Sequence, residues 1–470
     1  MNELCRKSAV ELAGLISRKE VSPVEVLEAF LERIRQVNPR LNAVVTLEED
    51  KAREAAKRAE DQIARGEQIG PLHGVPLTIK DNVFTEGTRT TLGSRLMEDF
   101  VPEEDAVLVR RLKDAGAIML GKTNLPEFGL IPITDNSLFG PTRNPWDLDK
   151  TSGGSSGGAA AGVAAGMFPL SSGNDGGGSI RIPASLCGTF GIKPSLGRVP
   201  MYPRFPGFET MNHEGPISWT VEDAALMLQV MAGPHEGDRL SLPPGDYHYP
   251  AALKRGVKGM RIAYSPDLGY AQVDPEVKEI TYQAARIFEE IGCEVEEINP
   301  QLPNLEDALQ AKAITEAVAA NEAHLEVWKE KAYPLYLGML EMAGSYSGTD
   351  MARHQFRREE LWEQVRFIFK DYKVLLTPTT AVPAFTSGEG GPLGPPTIDG
   401  KEVGPLSWIA FTYPFNFTGQ PAASVPCGFT REGLPVGLQV IGPRFDEHTV
   451  FAVCGAFEKA MPWVEQRPRF

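Results

Sequence analysis

The chain has 470 residues, 42% hydrophobic, 23% charged and 8% aromatic, a globular composition with room for one large core or two to three smaller ones. Lys and Arg number 47 against 62 Asp and Glu, and the formal net charge of −15 repels phosphate backbones and anionic lipid surfaces. Nucleic acid as the main partner is therefore disfavoured. The five cysteines (Cys5, Cys187, Cys293, Cys427, Cys454) are scattered and form no CxxC pair, so neither a zinc site nor a disulfide framework is expected. No signal-peptide pattern and no run approaching the ~20 apolar residues of a membrane span is visible, which makes a reduced cytoplasm the expected location.

Two capped helices open the chain. Ser8 with Glu11, and Ser22 with Glu25, have capping-box spacing, and Pro23 stands where a first helical residue is tolerated. Leu27, Phe30, Leu31 and Ile34 recur at helical spacing and mark a packed face. A charged helix with a solvated face follows, from about Glu49 to Arg65. Short apolar runs then alternate with helices: Val75–Ile79 reads as a strand, Asp105–Ala115 as a helix and Ala117–Leu120 as a strand. Met260–Tyr264 (strand), Pro275–Ile291 (helix) and Cys293–Ile298 (strand) repeat the pattern. Such alternation predicts an α/β architecture with a central sheet covered on both sides. Residues 305–370 read as a mostly helical excursion, and Pro383–Pro405, rich in Pro and Gly, as a loop near the surface. No internal repeat and no convincing linker is found, which predicts a single domain over residues 1–470.

Three motifs compete for the chemistry. Gly116–Thr123 formally matches the phosphate-binding GxxxxGK[ST] loop, but Ala117–Leu120 inside it reads as buried strand and Pro126 hinders a following helix. Gly153–Gly157 formally matches a GxSxG nucleophile elbow. The residues before it are too polar for the required strand, and only His448 near Asp446 offers partners, in a segment that reads as surface loop. The third is the whole block Thr151–Gly191. A flexible linker would not continue into a small-residue helix, AAAGVAAGM, and a second glycine cluster ending in Ser179-Ile-Arg-Ile-Pro. Glycine-rich turns around a helix and a strand make sense where backbone amides approach a ligand closely. Gly176, Gly177 and Gly178 can present N–H groups beside the Ser179 hydroxyl, a nest for the oxyanion of acyl transfer.

At these residues the chain resembles the amidase signature family. The resemblance runs through PLHGVPLTIKDNV (Pro71–Val83), GKTNLPEFG (Gly121–Gly129), LFGPTRNPWD (Leu138–Asp147), the Thr151–Gly191 block, and TGQPAASVPCG with GLPVGLQVIG near the end. It implies an α/β/α sandwich with a central mixed sheet, hydrolysis of a carbon–nitrogen amide bond, and no metal or organic cofactor. The family's lysine falls on Lys80, its bridging serine, held by a cis peptide bond, on Ser155, and its nucleophile on Ser179. The spacings, 75 residues from Lys80 to Ser155 and 24 from Ser155 to Ser179, are those associated with the family. The resemblance also implies an oxyanion hole from the backbone N–H groups of Gly176, Gly177, Gly178 and Ser179. Gly176 is a departure, since many members carry Thr, Ile or Val there, and it is expected to widen the oxyanion loop or the acyl pocket.

For Lys80 to act as a base its pKa must fall from about 10.4, and burial lowers a lysine by up to ~3–5 units. Val75, Leu77 and Ile79 form the apolar strand that delivers it to the interior. Asp81 points to the opposite face and need not pair with it. Asp175 and Arg181 are read as braces of the glycine loops, Cys187 as a core residue, and His73 and His213 as structural. Within the family the rival is the amidase subunit of a tRNA-dependent amidotransferase; those subunits carry Gln at the position of Ile182, so a stand-alone hydrolase is favoured. Outside enzymes the rival is a binding protein that kept the fold. The expected partners are a small, fairly apolar amide, anilide, carbamate or amide oligomer and water, with a homo-oligomer left open. Substrate choice is expected in Leu130–Ser137, Met201–His213 and about Ala308–Gly348.

Overall fold

The computed structural model describes residues 1–387 and 391–470. The strands in chain order are β1 (Val44–Leu47), β2 (Pro76–Lys80), β3 (Ile118–Thr123), β4 (Leu170–Asn174), β5 (Phe190–Lys193), β6 (Glu214–Ser218), β7 (Arg261–Tyr264), β8 (Glu294–Glu297), β9 (Val374–Pro378), β10 (Thr397–Ile398), β11 (Lys401–Glu402), β12 (Ala422–Phe429) and β13 (Pro435–Ile441). Among the described residues all but β10 and β11 join one sheet, in the order β1-β3-β2-β4-β6-β5-β12-β13-β9-β7-β8. The β3-β2-β4 and β9-β7-β8 pairings are parallel and the others antiparallel, so the sheet is mixed. Strands β2, β4, β5, β6, β9 and β13 are buried along their whole length, as strands are when helices cover both faces. The buried apolar side chains form one cluster running from Cys5 to Trp463.

The local signals fold as read. Ser8 and Ser22 each accept the amide three residues on while Glu11 and Glu25 return the bond, opening helices Ala9–Ser17 and Pro23–Leu41. Leu27, Phe30, Leu31 and Ile34 are all buried on the second. The charged helix spans Glu49–Ala64, and the later alternation appears as helix Val107–Asp114, β3, β7, helix Pro275–Glu290 and β8. Residues 305–370 hold helices Glu306–Ala320, Leu325–Lys331, Pro334–Ala343 and Gly348–Asp371. No described helix is long and apolar enough to cross a membrane.

Two expectations need amendment. Strand β3 runs on through Gly121, Lys122 and Thr123, so the GKT segment is strand and no phosphate loop forms; β2 likewise extends one residue to include Lys80. The Pro383–Pro405 stretch, apart from residues 388–390, which lie outside the described residues, is more than a surface loop. It carries the β10–β11 hairpin, and Leu393 and Pro405 turn inward onto a cavity.

Candidate active site

The chemistry-bearing segments meet where β2 and β4 end. Leu77 and Thr78 of β2 pair in parallel with Leu170 and Ser171 of β4, so Lys80 and Asn174 leave the sheet side by side. On the other side of β4 the antiparallel register sets Glu214 of β6 opposite Asn174. The two glycine-rich turns close over these strand ends. One precedes helix Gly157–Ala164 and contains the cis peptide Gly154–Ser155; the other precedes helix Arg181–Cys187 and contains Ser179. They are tied together where the Ser156 amide donates to the Ser179 carbonyl at 3.1 Å.

Lys80 is fully buried. Its Nζ lies 2.7 Å from Ser155 Oγ and donates to Asn174 Oδ1 at 2.6 Å. Burial pulls its pKa from 10.5 down to about 7, against the opposing charges of Glu214 and Asp175. An amine whose pKa lies near 7 is partly neutral at physiological pH, and beside a serine hydroxyl it has the geometry a general base needs. Ser155, Asn174, Glu214 and the half-buried Ser179 all line a cavity of about 280 Å³. Gly129 lies beside Ser155, and a Cβ there would stand 3.3 Å from its Oγ.

The second turn is held from below. Arg181 uses all five of its donors: Nε and Nη2 fork onto the two Asp175 oxygens at 2.9 Å, and the rest go to Thr412 O, Gln439 Oε1 and Asn416 Oδ1. Burial opposes the Asp175 charge, but the Arg181 guanidinium and the Asn416 amide hold its carboxyl well below the usual carboxylate range. Asp175 and Arg181 are thus braces, as read. The Asp175 carboxylate also accepts from the Gly178 and Ile180 amides at 2.7 and 3.2 Å. This corrects one member of the expected nest. The Gly178 N–H is turned away onto Asp175, and Gly178 is absent from the cavity wall, which Gly176, Gly177 and Ser179 do line. Gly178 has a different necessity: its φ is +133°, and a Cβ would fall 2.3 Å from Thr412 Oγ1. The amides of Gly176, Gly177 and Ser179 have no hydrogen-bond partner among the described residues and are the ones left to meet a ligand.

The remaining residues sort themselves. Asp81 faces away from Lys80 and accepts from the Thr91 amide and hydroxyl. His73 is buried with Nε2 3.0 Å from the Ala59 carbonyl. His213 is buried with Nδ1 3.1 Å from the Asp175 carbonyl, and burial drives its pKa well down, so it carries no charge there. Cys187 is a core residue whose thiol burial pushes up. His448 sits on helix Glu447–Ala460 against the Tyr249 ring and is not part of the cavity wall, so the elbow partners do not assemble.

The cavity is largely apolar. The three segments expected to govern substrate choice contribute Leu130, Ile131 and Pro132, then Phe205 and Phe208, then Leu309, Ile314, Met339 and Met342. Leu406 and Ile409 form a further wall that the sequence did not announce, and Asn174, Glu214 and Asn82 are equally new to the site. Asn174 and Glu214 owe their place to the pairing of distant strands; the only linear hint is their adjacency to Asp175 and His213. At Gly176 a Cβ would stand 3.1 Å from Phe208 Cδ1, so the missing side chain lets that ring pack close against the loop rather than leaving open space there.

A family model for amidases matches residues 25–451. This chain belongs to the amidase signature family. The amidase is 40% identical over 467 residues to an acylamidase of Rhodococcus erythropolis, covering 98% of this chain and 97% of that relative. It is 39% identical over 497 residues to a glutamyl-tRNA(Gln) amidotransferase subunit of Moorella thermoacetica, covering 99% of each. Among solved structures, a bacterial aryl acylamidase of the same family superposes with a TM-score of 0.93 at 36% identity, covering 98% of this chain and 97% of that one. A 6-aminohexanoate cyclic dimer hydrolase gives 0.90 at 30% identity, covering 100% and 99%. The mixed, helix-flanked sheet is the fold of these enzymes, and the chain is a hydrolase of amide bonds.

Proposed function

We propose that the amidase cleaves small, apolar amides through an acyl-enzyme on Ser179, with Ser155 as proton bridge and Lys80 as base. The observation that carries this reading is the 2.7 Å approach of a buried Lys80 to Ser155 on the cavity that Ser179 also lines. A serine hydroxyl is a weak nucleophile until its proton is removed. Neutral Lys80 takes a proton from Ser155 as Ser155 takes one from Ser179, and Ser179 Oγ attacks the carbonyl carbon. The amides of Gly176, Gly177 and Ser179 receive the oxyanion. The C–N bond then breaks, the amine leaves with the proton returned through Ser155, and water hydrolyses the ester by the same route in reverse.

The apolar walls of Phe205, Phe208, Leu309, Ile314, Met339 and Met342 suit an anilide or an aliphatic amide better than a charged amino acid side chain. The likeness to an acylamidase and an aryl acylamidase supports that substrate class. The near-equal likeness to amidotransferase subunits keeps a partner-dependent amidase as the second reading. Ile182, where the subunits carry Gln, and the apolar wall favour a stand-alone enzyme. The test is release of aniline from N-acyl anilides by the isolated chain and by Ser179→Ala. Turnover by the wild type and none by the variant is expected. Equal turnover by both would overturn the assignment, and turnover only with amidotransferase partners added would favour the second reading.

A further inference from the structure

One buried carboxyl beside the site has no part in the chemistry described so far. Glu214 is 6% exposed, lines the substrate cavity, and stands opposite Asn174 in the β4–β6 register. Its Oε2 is buried with no hydrogen-bond partner among the described residues. Asn174, in turn, accepts from Lys80 Nζ at 2.6 Å, so one amide side chain sits between the carboxyl and the amine. We propose that Glu214 is a positioning residue for the reaction. Its carboxyl fixes the Asn174 amide that holds Lys80, and its charge decides how readily Lys80 gives up its proton.

Burying an ion without full pairing is expensive, and the structure relieves this either by a nearby opposite charge or by protonation. Both routes are present. Burial raises the Glu214 carboxyl from 4.5 to about 7, while Lys80, the Asn174 side chain, Arg204 and Lys122 act to lower it. Lys80 falls to about 7 from the other direction. Burial thus moves both groups toward their uncharged forms, and a carboxylate at Glu214 favours the ammonium form of Lys80. Only a neutral Lys80 supplies the base. Of the other groups nearby, Asp175 is held ionised by Arg181 and His213 is held neutral by burial, while burial lowers the Lys193 amine and brings Lys122 to about 8. Glu214 is the carboxyl whose charge acts most on Lys80, and its carboxylate form restrains Lys80 from becoming neutral.

Glu214→Gln keeps the shape and the partner for Asn174 but removes the charge. The inference rests on Lys80 being the base, and the experiment separates the two. The pH dependence of kcat/KM for an N-acyl anilide is measured between about pH 5 and 9 for the wild type, Glu214→Gln and Lys80→Ala. Without the carboxylate, Lys80 loses its proton more easily, and the acid limb of Glu214→Gln moves to lower pH by about one unit or more. A limb that coincides with the wild type, however far kcat falls, would overturn the role of Glu214, because a purely structural part changes the height of the profile and not its position. Should Glu214→Gln fail to fold, Glu214→Met, neutral and of similar length, reads the same limb. If Lys80→Ala is inactive while the Glu214 variants leave the limb in place, only this inference fails. If Lys80→Ala keeps the wild-type limb, the base assignment itself fails.

Discussion

Lys80 and Lys122 are fully buried lysines on neighbouring parallel strands, and they end in opposite roles. The register pairs Lys80 with Thr123 and Lys122 with Ile79, so the two amines leave opposite faces of the sheet. Burial lowers both, Lys80 to about 7 and Lys122 to about 8. What differs is what each meets. Lys122 donates to the Val83 carbonyl and to Thr85 Oγ1, with the Asp81 charge close by. The Thr85 hydroxyl is itself committed as a donor to the Val83 carbonyl, away from the cavity that Ser179 lines. Lys80 meets a serine hydroxyl and one amide oxygen at the edge of an apolar cavity. A low pKa and a neighbouring hydroxyl are shared by both, and a hydroxyl on the apolar cavity that Ser179 lines is not. Burial makes an amine available as a base; only its neighbours give it a proton to take.

The sharpest way to break this contrast is to remove each amine. Lys80→Ala should lower kcat/KM on the order of 10³-fold or more, because members of such a relay act as a unit, while urea unfolding stays cooperative. Lys122→Met should do the reverse. It removes the positive charge that acts most on buried Asp81 and should cost about 3 kcal/mol of stability by urea titration, with kcat/KM within about tenfold of wild type. A catalytic collapse in a stable Lys122→Met would contradict the division. The wild-type pH profile sharpens the same point. Because burial lowers the Lys80 pKa, the neutral base is present above about pH 7 and is lost below it, and kcat/KM should fall as pH drops through that value. A profile flat from about pH 9 to 5 would remove Lys80 from the rate-limiting proton transfer. Gly176→Val crowds the Phe208 ring, which must swing toward the cavity, and should raise KM about tenfold for bulky anilides and less for short aliphatic amides. His448→Ala, on a helix away from the cavity, should leave turnover unchanged, and a large loss there would revive a histidine-based elbow.

The same two lysines show how far the sequence could be read. Lys80 was legible through the family resemblance, which places the lysine there, and the apolar strand that ends on it explains how it reaches the interior. Lys122 carried a misleading motif, since Gly116–Thr123 mimics a phosphate loop; its context already argued for strand, and β3 extends that strand through Lys122 and Thr123. The nest was read one residue too generously. A row of glycines says that amides can approach a ligand, but not which amide a neighbouring carboxylate has already taken, and Asp175 takes that of Gly178. Asn174 and Glu214 were out of reach for a different reason. Each is ordinary on its own strand, and their significance arises from the β2-β4-β6 pairing. The Leu406–Ile409 wall begins just past the Pro- and Gly-rich Pro383–Pro405 stretch, and nothing in the linear order of Leu406-Ser-Trp-Ile409 says that it faces the substrate.

The most direct test of the account is intact-mass spectrometry after exposure to a fluorophosphonate serine probe, run on the wild type, Ser179→Ala and Lys80→Ala. The predicted result is one adduct on the wild type, mapped to Ser179, absent from Ser179→Ala and strongly slowed in Lys80→Ala. An adduct on Ser155, or labelling of Lys80→Ala at the wild-type rate, would contradict the claim that a buried lysine activates Ser179 through Ser155.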